Sequence, residues 1–541
     1  MAMYKVLGVL VGMLAMCAMA DAEPVRVLIL SGQNNHAWQE TTPVLKRILE
    51  ESGRFAVEVT DAPQGITAES LKDFDVILSN WNGWDDAAVK EWPEAARSAL
   101  MEFVKGGKGF VSVHAGTSSF YDWPEYQELA MASWKIGETG HGKRHAFPVK
   151  LTPEDHPITR GMLPFETFDE LWHGVPIQPD ARVLATAYSS KDSNGSGNDE
   201  PMVMVREFGK GRGVNILLGH DVQAMETPSF GVLLSRGVEW AATNEVTLPA
   251  RKMEWAQADG SLGLKANGQV VWQLNYGNRM TKPHFHPLSP VGGPVLSWVA
   301  PPDHVWHYGL WFSWKFINGA NYWEEDKLTG LPEGATVWDA PGIATEADGS
   351  AKMTFRLRYE AKPGEVLLTE ERTLDISAPD RDGAYRIDWR SEFTAQAPEV
   401  LLDRTPIEGE PDGKAWGGYA GLSMRFAPMT APQTHNEREN VWLTQQRSHV
   451  NGESIDYSGL FDGREAGVAM FQLADNPLHP VPWYLISNPE SNFYFFSPTL
   501  LYPAPMKLKQ GEKLTLSYRI QVHNGRWTTE KLAEELKNIA K

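Results

Sequence analysis

From Val25 to Leu30 the chain is a short apolar run broken only by Arg26. It then passes through Ser31-Gly32-Gln33-Asn34-Asn35-His36 into a segment where Val44, Leu45, Ile48 and Leu49 recur at helical spacing. This reads as strand, loop, helix. Phe55 to Val59 and Asp75 to Ser79 predict further strands, and Ala95 to Val104 a helix. Lys105-Gly106-Gly107-Lys108-Gly109 then turns the chain into a buried strand, Phe110 to Val113, ending at His114-Ala115-Gly116. Such repetition predicts an α/β domain over residues 25–245, with a parallel sheet covered by helices on both faces. Ligands of such sheets bind beyond the carboxyl ends of the strands, where Gln33 to His36, Asn80 to Trp84 and His114 to Thr117 fall.

After Thr243 to Arg251 the period changes from helical to two. Met353, Phe355, Leu357 and Tyr359 alternate with polar residues, as do Tyr385, Ile387, Trp389 and Phe393, and Leu514, Leu516, Tyr518, Ile520 and Val522. Turn signals such as Pro363-Gly364 and Asp380-Arg381-Asp382-Gly383 separate them. The expectation for residues 255–541 is an all-β domain, an antiparallel β-sandwich, closed by a helix from Thr528 to Lys541 with Leu532, Leu536 and Ile539 as its apolar stripe.

With 541 residues, two domains are expected. A formal charge of -19 repels phosphate backbones and anionic lipid, which excludes nucleic acid as a partner and favours a neutral ligand. The 21 Trp offer flat faces suited to sugar rings as well as to cores. At the start, Lys5, the apolar run Val6 to Ala20 and the small-x-small Ala20-Asp21-Ala22 predict a signal peptide over residues 1–22. The run is too short for a lasting membrane span, so a periplasmic or secreted protein is expected. Cys17, the only cysteine, lies in this segment. Leu14-Ala15-Met16-Cys17 departs from a lipoprotein box at the bulky Met16, so lipid anchoring is the lesser expectation. Cleavage after Ala22 leaves no thiol, hence no disulfide, Cys-ligated metal or Cys nucleophile.

The first domain holds seven His, of which His36, His114, His173 and His220 lie at the expected cleft. Neutral imidazole ligates first-row metals and serves as a base near neutral pH, and Glu170 and Asp221 are placed to orient it. A divalent metal on these four His is therefore one candidate; the cofactor is otherwise open. His141 and His145 have the spacing of a zinc-binding helix, but Gly140 and Gly142 oppose a helix there. The domain resembles the trehalose-utilisation (ThuA-like) family, a branch of the class I glutamine amidotransferase-like, flavodoxin-like fold. The matching residues are Val27 to Gly32 with His36, Gly109 to Gly116, Phe168-Asp169-Glu170-Leu171-Trp172, and Gly209-Lys210-Gly211-Arg212-Gly213 leading to Leu218-Gly219-His220-Asp221. The resemblance implies that amidotransferases carry their Cys where His114 stands. Imidazole cannot do that chemistry, so glutamine hydrolysis is excluded, and His114 is left as a base or ligand.

In the second domain the chemistry is densest between Pro283 and Trp323, where four of the 15 His, namely His284, His286, His304 and His307, sit among Trp and Pro. Clustered imidazoles supply proton transfer or ligation, and aromatic rings supply stacking platforms. The catalytic candidates here are thus His304, His307, Asp303, His286 and His284, with Trp306, Trp311 and Trp323 contacting substrate. Arg386, Asp388 and Arg390 alternate on one strand face and line either a sugar-binding surface or a solvated one. This half resembles the PmoA-like domain of unknown function, through Pro283 to Pro287, Pro302-Asp303-His304 with His307, Gly309 to Phe312, Asn318-Gly319 and Trp323. Later matches are Gly417 to Leu422, Tyr457-Ser458-Gly459 and Asn476-Pro477 with His479-Pro480, which adds His479 to the sugar-contacting candidates. More loosely it is similar to the galactose-mutarotase-like supersandwich. That likeness implies a His paired with a carboxylate, with Glu324, Glu370 or Asp388 as further carboxylates.

Together these readings predict a secreted carbohydrate-active enzyme cleaving glycosides or keto-sugars by His/carboxylate acid-base chemistry, with or without a metal. The alternatives are a non-catalytic glycan-binding protein and a sugar mutarotase or epimerase.

Overall fold

The computed structural model describes residues 23–83, 92–120, 123–441 and 446–539. The expected leader with Cys17, and Trp84, lie outside the described residues. Among those described, no helix is long and apolar enough to cross a membrane.

The first domain is built on a nine-stranded sheet in the order Phe55–Thr60, Val25–Leu30, Val76–Ser79, Gly109–Val113, Gly211–Ile216, Asp199–Phe208, Arg182–Tyr188, His145–Leu151, Phe165–Asp169. The first five strands run parallel. The rest pair antiparallel, which corrects the expectation of a wholly parallel sheet. The reason is connection length: only Gly209-Lys210 separates Phe208 from Gly211, and parallel neighbours need a crossover of a dozen or more residues. Helices Trp38–Glu51, Glu94–Lys105 and Pro228–Thr243 flank the sheet, and its two faces carry separate apolar clusters, with Val27 and Ile29 in one and Leu28 and Leu30 in the other. Burial on both faces is why the inner strands Val76–Ser79 and Gly109–Val113 are buried along their whole length, whereas the edge strand Phe55–Thr60 alternates.

The second domain is almost wholly β. Two nine-stranded antiparallel sheets pack face to face, with a four-stranded sheet beside them. One core draws on both: Trp272, Phe285, Leu310, Phe312 and Leu485 come from one sheet, and Phe355, Tyr359, Trp389 and Ile520 from the other. The strand Ala351–Glu360 buries alternate residues, as its period of two predicts. The closing helix Thr529–Ile539 sets Leu532 against Phe471. Between the domains, Arg251 donates to the carbonyls of Asp380 and Arg381.

One candidate carboxylate is lost to this core. Glu370 is 1 % exposed and accepts from Arg372 Nε (2.7 Å) and Nη2 (2.9 Å), the Tyr359 hydroxyl (2.6 Å) and the Ser391 hydroxyl (2.5 Å). Four donors saturate it, and no substrate reaches it. Arg372 in turn stacks 4.8 Å from the Trp389 ring. Removing one partner of such a pair strands the other charge in apolar surroundings, so Arg372→Ala should lose about 3–5 kcal/mol in equilibrium urea unfolding. A loss below about 1 kcal/mol would mean that Glu370 is neutral or hydrated in the native state.

Candidate functional site

At the carboxyl ends of the first domain's strands, four side chains from four separate segments converge. His36 follows the strand Val25–Leu30, His114 follows Gly109–Val113, Glu170 follows Phe165–Asp169, and His220 lies just beyond Gly211–Ile216. One ligand atom of each falls within 4.8 Å of all the others.

Asp169 organises two of these positions. Its buried carboxylate accepts the backbone N–H groups of Glu170 (2.8 Å), Gly219 (2.7 Å) and His220 (3.1 Å), which ties the Glu170 and His220 loops together. Gly219 takes φ +99, a region that L side chains rarely adopt, so glycine is required at that bend. His114 itself has φ 42, the strained left-handed region in a residue with a Cβ. Close by, a Cβ at Gly116 would lie 2.2 Å from the Ser79 carbonyl oxygen, so the turn after His114 must pass the neighbouring strand without a side chain.

The tautomers follow from the partners. His114 Nδ1–H donates to the Leu217 carbonyl at 2.7 Å, which leaves a lone pair on Nε2. That Nε2 lies 3.3 Å from His220 Nδ1 and 3.7 Å from Glu170 Oε1, and His220 Nδ1 is 3.6 Å from the same oxygen. His36 Nδ1–H faces the side-chain oxygens of Asn34 and Asn35, both at 3.1 Å, again freeing Nε2. Burial, and then repulsion from His114 and His220, push His36 down to about 3. Burial alone would raise Glu170, but the neighbouring imidazoles of His114 and His220, when protonated, outweigh it and hold the carboxyl below the usual range. For His220 burial acts downward, and the bond to Glu170 wins, raising it. The Trp172 indole N–H donates to Glu170 Oε1 at 3.1 Å, and His141 Nδ1 lies 3.1 Å from Oε2. The cluster opens into a cavity of about 630 Å³ whose walls include Trp134, Trp172, Glu40 and Asp221.

Sequence reasoning and structure differ here at three residues. His173 does not join the cluster: strand alternation turns it away from Trp172, and it packs over Gly140 instead. Glu170 is a member of the cluster rather than an orienting neighbour. His141 lies outside a helix, as Gly140 and Gly142 predict, on the short strand Gly140–His141, but it reaches Glu170 although the His141/His145 pair carried no expected role. Asp169 gave no separate sequence signal beyond its place next to Glu170.

The second domain's candidates divide. His304, Trp306, His307 and Trp323 line a hollow of about 270 Å³. The His304 ring stacks on His307 with centroids 4.7 Å apart, and Asp303 bridges His304 Nδ1 (2.9 Å) and Arg425 Nη2 (3.0 Å). His307 is 4 % exposed and Trp311 lies fully buried beneath it, so neither presents an open face to a ligand. Other candidates lie elsewhere. His284 and His286 do not line the hollow; they bond to the Lys282 carbonyl (2.9 Å) and the Ser297 hydroxyl (2.8 Å). His479 lies 3.7 Å from Glu453, also outside the lining. Arg386, Asp388 and Arg390 are on a strand of the other large sheet, on its solvent side. There Arg519 grips Asp388 at 2.6 and 2.9 Å, and Arg390 pairs with Asp475 at 3.0 Å. These pairs hold an exposed face that lies away from the hollow.

Fold and site thus define a two-domain protein, an α/β domain with a histidine-carboxylate centre followed by a β-sandwich. Residues 26–241 match the family described as trehalose utilisation, ThuA. Residues 261–537 match the family of unknown function DUF6807, to which the chain belongs. Among solved structures, a ThuA-like protein from Parabacteroides merdae is 33% identical over 42% of this chain and 93% of its own, with a TM-score of 0.38. A ThuA-like protein from Bacteroides uniformis is 18% identical over 42% of this chain and 96% of its own, with a TM-score of 0.34. A β-galactosidase from Bacillus circulans is 12% identical over 46% of this chain and 35% of its own, with a TM-score of 0.26. No curated protein matches the chain.

His284 generates a prediction on stability. Burial holds it down at about 4, against 6.5 when free. As pH falls from 6.5 towards 4, the unfolded chain gains this proton and the folded chain does not. Stability is therefore full above that window, declines through it, and has lost at most about 3.5 kcal/mol below it, at ~1.4 kcal/mol per unit. Urea midpoints measured from pH 7 to 4 should fall less steeply in His284→Asn than in the wild type; equal slopes would show that His284 is not the group responsible.

Proposed function

We propose that this chain is an exported enzyme acting on glycosides or keto-sugars, with His36, His114, Glu170 and His220 as its reaction centre. The observation that carries the reading is the convergence of these four side chains, three of which, His36, Glu170 and His220, line a cavity large enough for a sugar while His114 lies buried behind them. The ThuA match supports carbohydrate as the substrate class, since that family is described by trehalose utilisation. The leader-like start of the sequence supports export to the periplasm or medium. The finer resemblances, to the class I amidotransferase fold, the PmoA-like domain and the mutarotase supersandwich, belong to this same reading.

The donor set fits a divalent first-row ion. Three imidazole nitrogens and one carboxylate oxygen are borderline ligands, and separations of 3.3, 3.6 and 3.7 Å approach the ~3.4 Å edges of a tetrahedron with ~2.1 Å bonds. His36 and His114 each spend Nδ1–H on an oxygen acceptor, as ligating imidazoles do. Such an ion supplies Lewis acidity towards a sugar carbonyl or hydroxyl oxygen. The chain's own residues do the rest. Trp134 and Trp172 wall the cavity and exclude water from one side. His141, half exposed there and oriented by Glu170, is placed to accept a proton. With a keto-sugar, that proton leaves the carbon between the keto group and the anomeric centre. Its electron pair forms a C=C bond as the glycosidic C–O bond breaks, and the departing oxygen takes up a proton. Water then adds to the alkene.

The aromatic hollow of the second domain favours a second reading, a non-catalytic glycan-binding protein. Incubating the purified protein with glycosides and 3-keto-glycosides, followed by NMR, separates the two. New reducing ends are expected, lost on chelation and restored by one equivalent of metal. His220→Ala should reduce both bound metal and rate by about 100-fold. Accelerated anomer exchange without cleavage would mean an epimerase, and binding without conversion would leave only the glycan-binding reading.

A further inference from the structure

The β-sandwich carries a second aromatic layer outside its core. In the sheet bearing the hollow, Leu310, Phe312, Leu485 and Phe496 face the sandwich core, and the alternate residues Trp311, Tyr484, Ile486 and Phe495 form a separate cluster on the opposite face. An outward face of an antiparallel sheet is ordinarily polar. Here it is a packed floor that also takes in the buried Trp323, with the rims of Trp306, Tyr419 and the 48 % exposed Trp416 standing above it. Flat apolar faces ringed by polar edges match a sugar ring.

Charge at the rim narrows the ligand. Glu324 is charge-paired and held in place, with one acceptor site left on Oε1: Oε2 meets Lys315 Nζ and Asn321 Nδ2 (2.7 Å), and Oε1 accepts the Tyr419 hydroxyl (3.1 Å). Asp303 is likewise held, between Arg425 and His304. Arg447 differs. It lines the hollow half-buried, touches the Tyr484 hydroxyl at 3.5 Å, lies 6.0 Å from the Trp416 ring, and has no carboxylate partner among the described residues. In a chain of net charge -19, a guanidinium left without a carboxylate in a half-buried aromatic setting is a standing acceptor site for a ligand anion.

We propose that this hollow binds a pyranose ring bearing a carboxylate, that is, a uronic acid residue of a glycan. The ring stacks on the Trp416 and Trp306 side, Arg447 takes the carboxylate, and the fixed Glu324 and His304 receive the ring hydroxyls. A volume of about 270 Å³ suits one ring, not an oligosaccharide. This site goes beyond the reaction centre proposed above and does not depend on it, because binding requires no chemistry at the first domain.

Tryptophan-fluorescence titration of the full chain tests it, using methyl glucuronide and methyl galacturonide against methyl glucoside, methyl galactoside and sodium acetate. At least one uronide should bind tenfold or more tightly than its neutral counterpart and than acetate. Arg447→Ala should erase that preference, and Trp416→Ala, at an exposed position that tolerates truncation, should weaken the uronide tenfold. Protein stripped with EDTA should bind the uronide unchanged, which separates this site from the metal centre. Equal affinity for neutral and acidic sugars, no binding of either uronide, acetate binding as tightly as the uronide, or a preference that survives Arg447→Ala would each overturn the proposal.

Discussion

The first domain depends on one buried carboxylate. Asp169 makes no contact with the cavity, yet it receives three backbone N–H groups from two loops that lie 50 residues apart in the chain. Without that anchor the Glu170 and His220 loops have no common reference, and the spacing of the histidine-carboxylate cluster is lost. The strained backbone at His114 and the bare passage of Gly116 over Ser79 serve the same end: they bring an imidazole from the central strand over the sheet's edge into the cluster. Strain of this kind persists where the surrounding contacts over-determine it, and here the Leu217 carbonyl and the Trp172 ring do so.

The second domain solves a different problem. Its sheets bury one face in a common core, and the sheet bearing the hollow then buries part of its other face under aromatic side chains. This explains the density of Trp and His around Pro283 to Trp323 without requiring every one of them to react. His307 and Trp311 build the floor, while His304 and Trp306 stand at the rim. The charged pairs follow a similar division. Inside, the Glu370 carboxylate meets Arg372, Tyr359 and Ser391, and the charges at the rim of the hollow are fixed except Arg447.

Much of this was legible in the chain. The switch from apolar runs with helical periods to alternation by two placed the α/β and β domains, because burial on both faces or on one face writes directly into residue order. His36, His114 and His220 were legible because each follows a strand at its carboxyl end. His173 was misread for the same reason: position after a strand does not reveal which side of the backbone a side chain takes. The mixed sheet was missed because parallel and antiparallel strands of similar burial look alike, and only the two-residue link at Gly209-Lys210 pointed to a hairpin. Arg386, Asp388 and Arg390 showed alternation but not which of two sheets they belonged to.

What the sequence determined by itself was local: which segments are strands or helices, where turns must fall, and which side-chain chemistries each loop carries, since these follow from periodicity and from the conformational limits of single residues. What only the tertiary structure decided was proximity. That Glu170 joins three histidines, that Asp169 binds the Glu170 and His220 loops, that Glu370 is sealed in a core and that Arg447 meets no carboxylate among the described residues all depend on how distant segments come together. They are fixed by how sheets pack and register, which no short stretch of chain encodes.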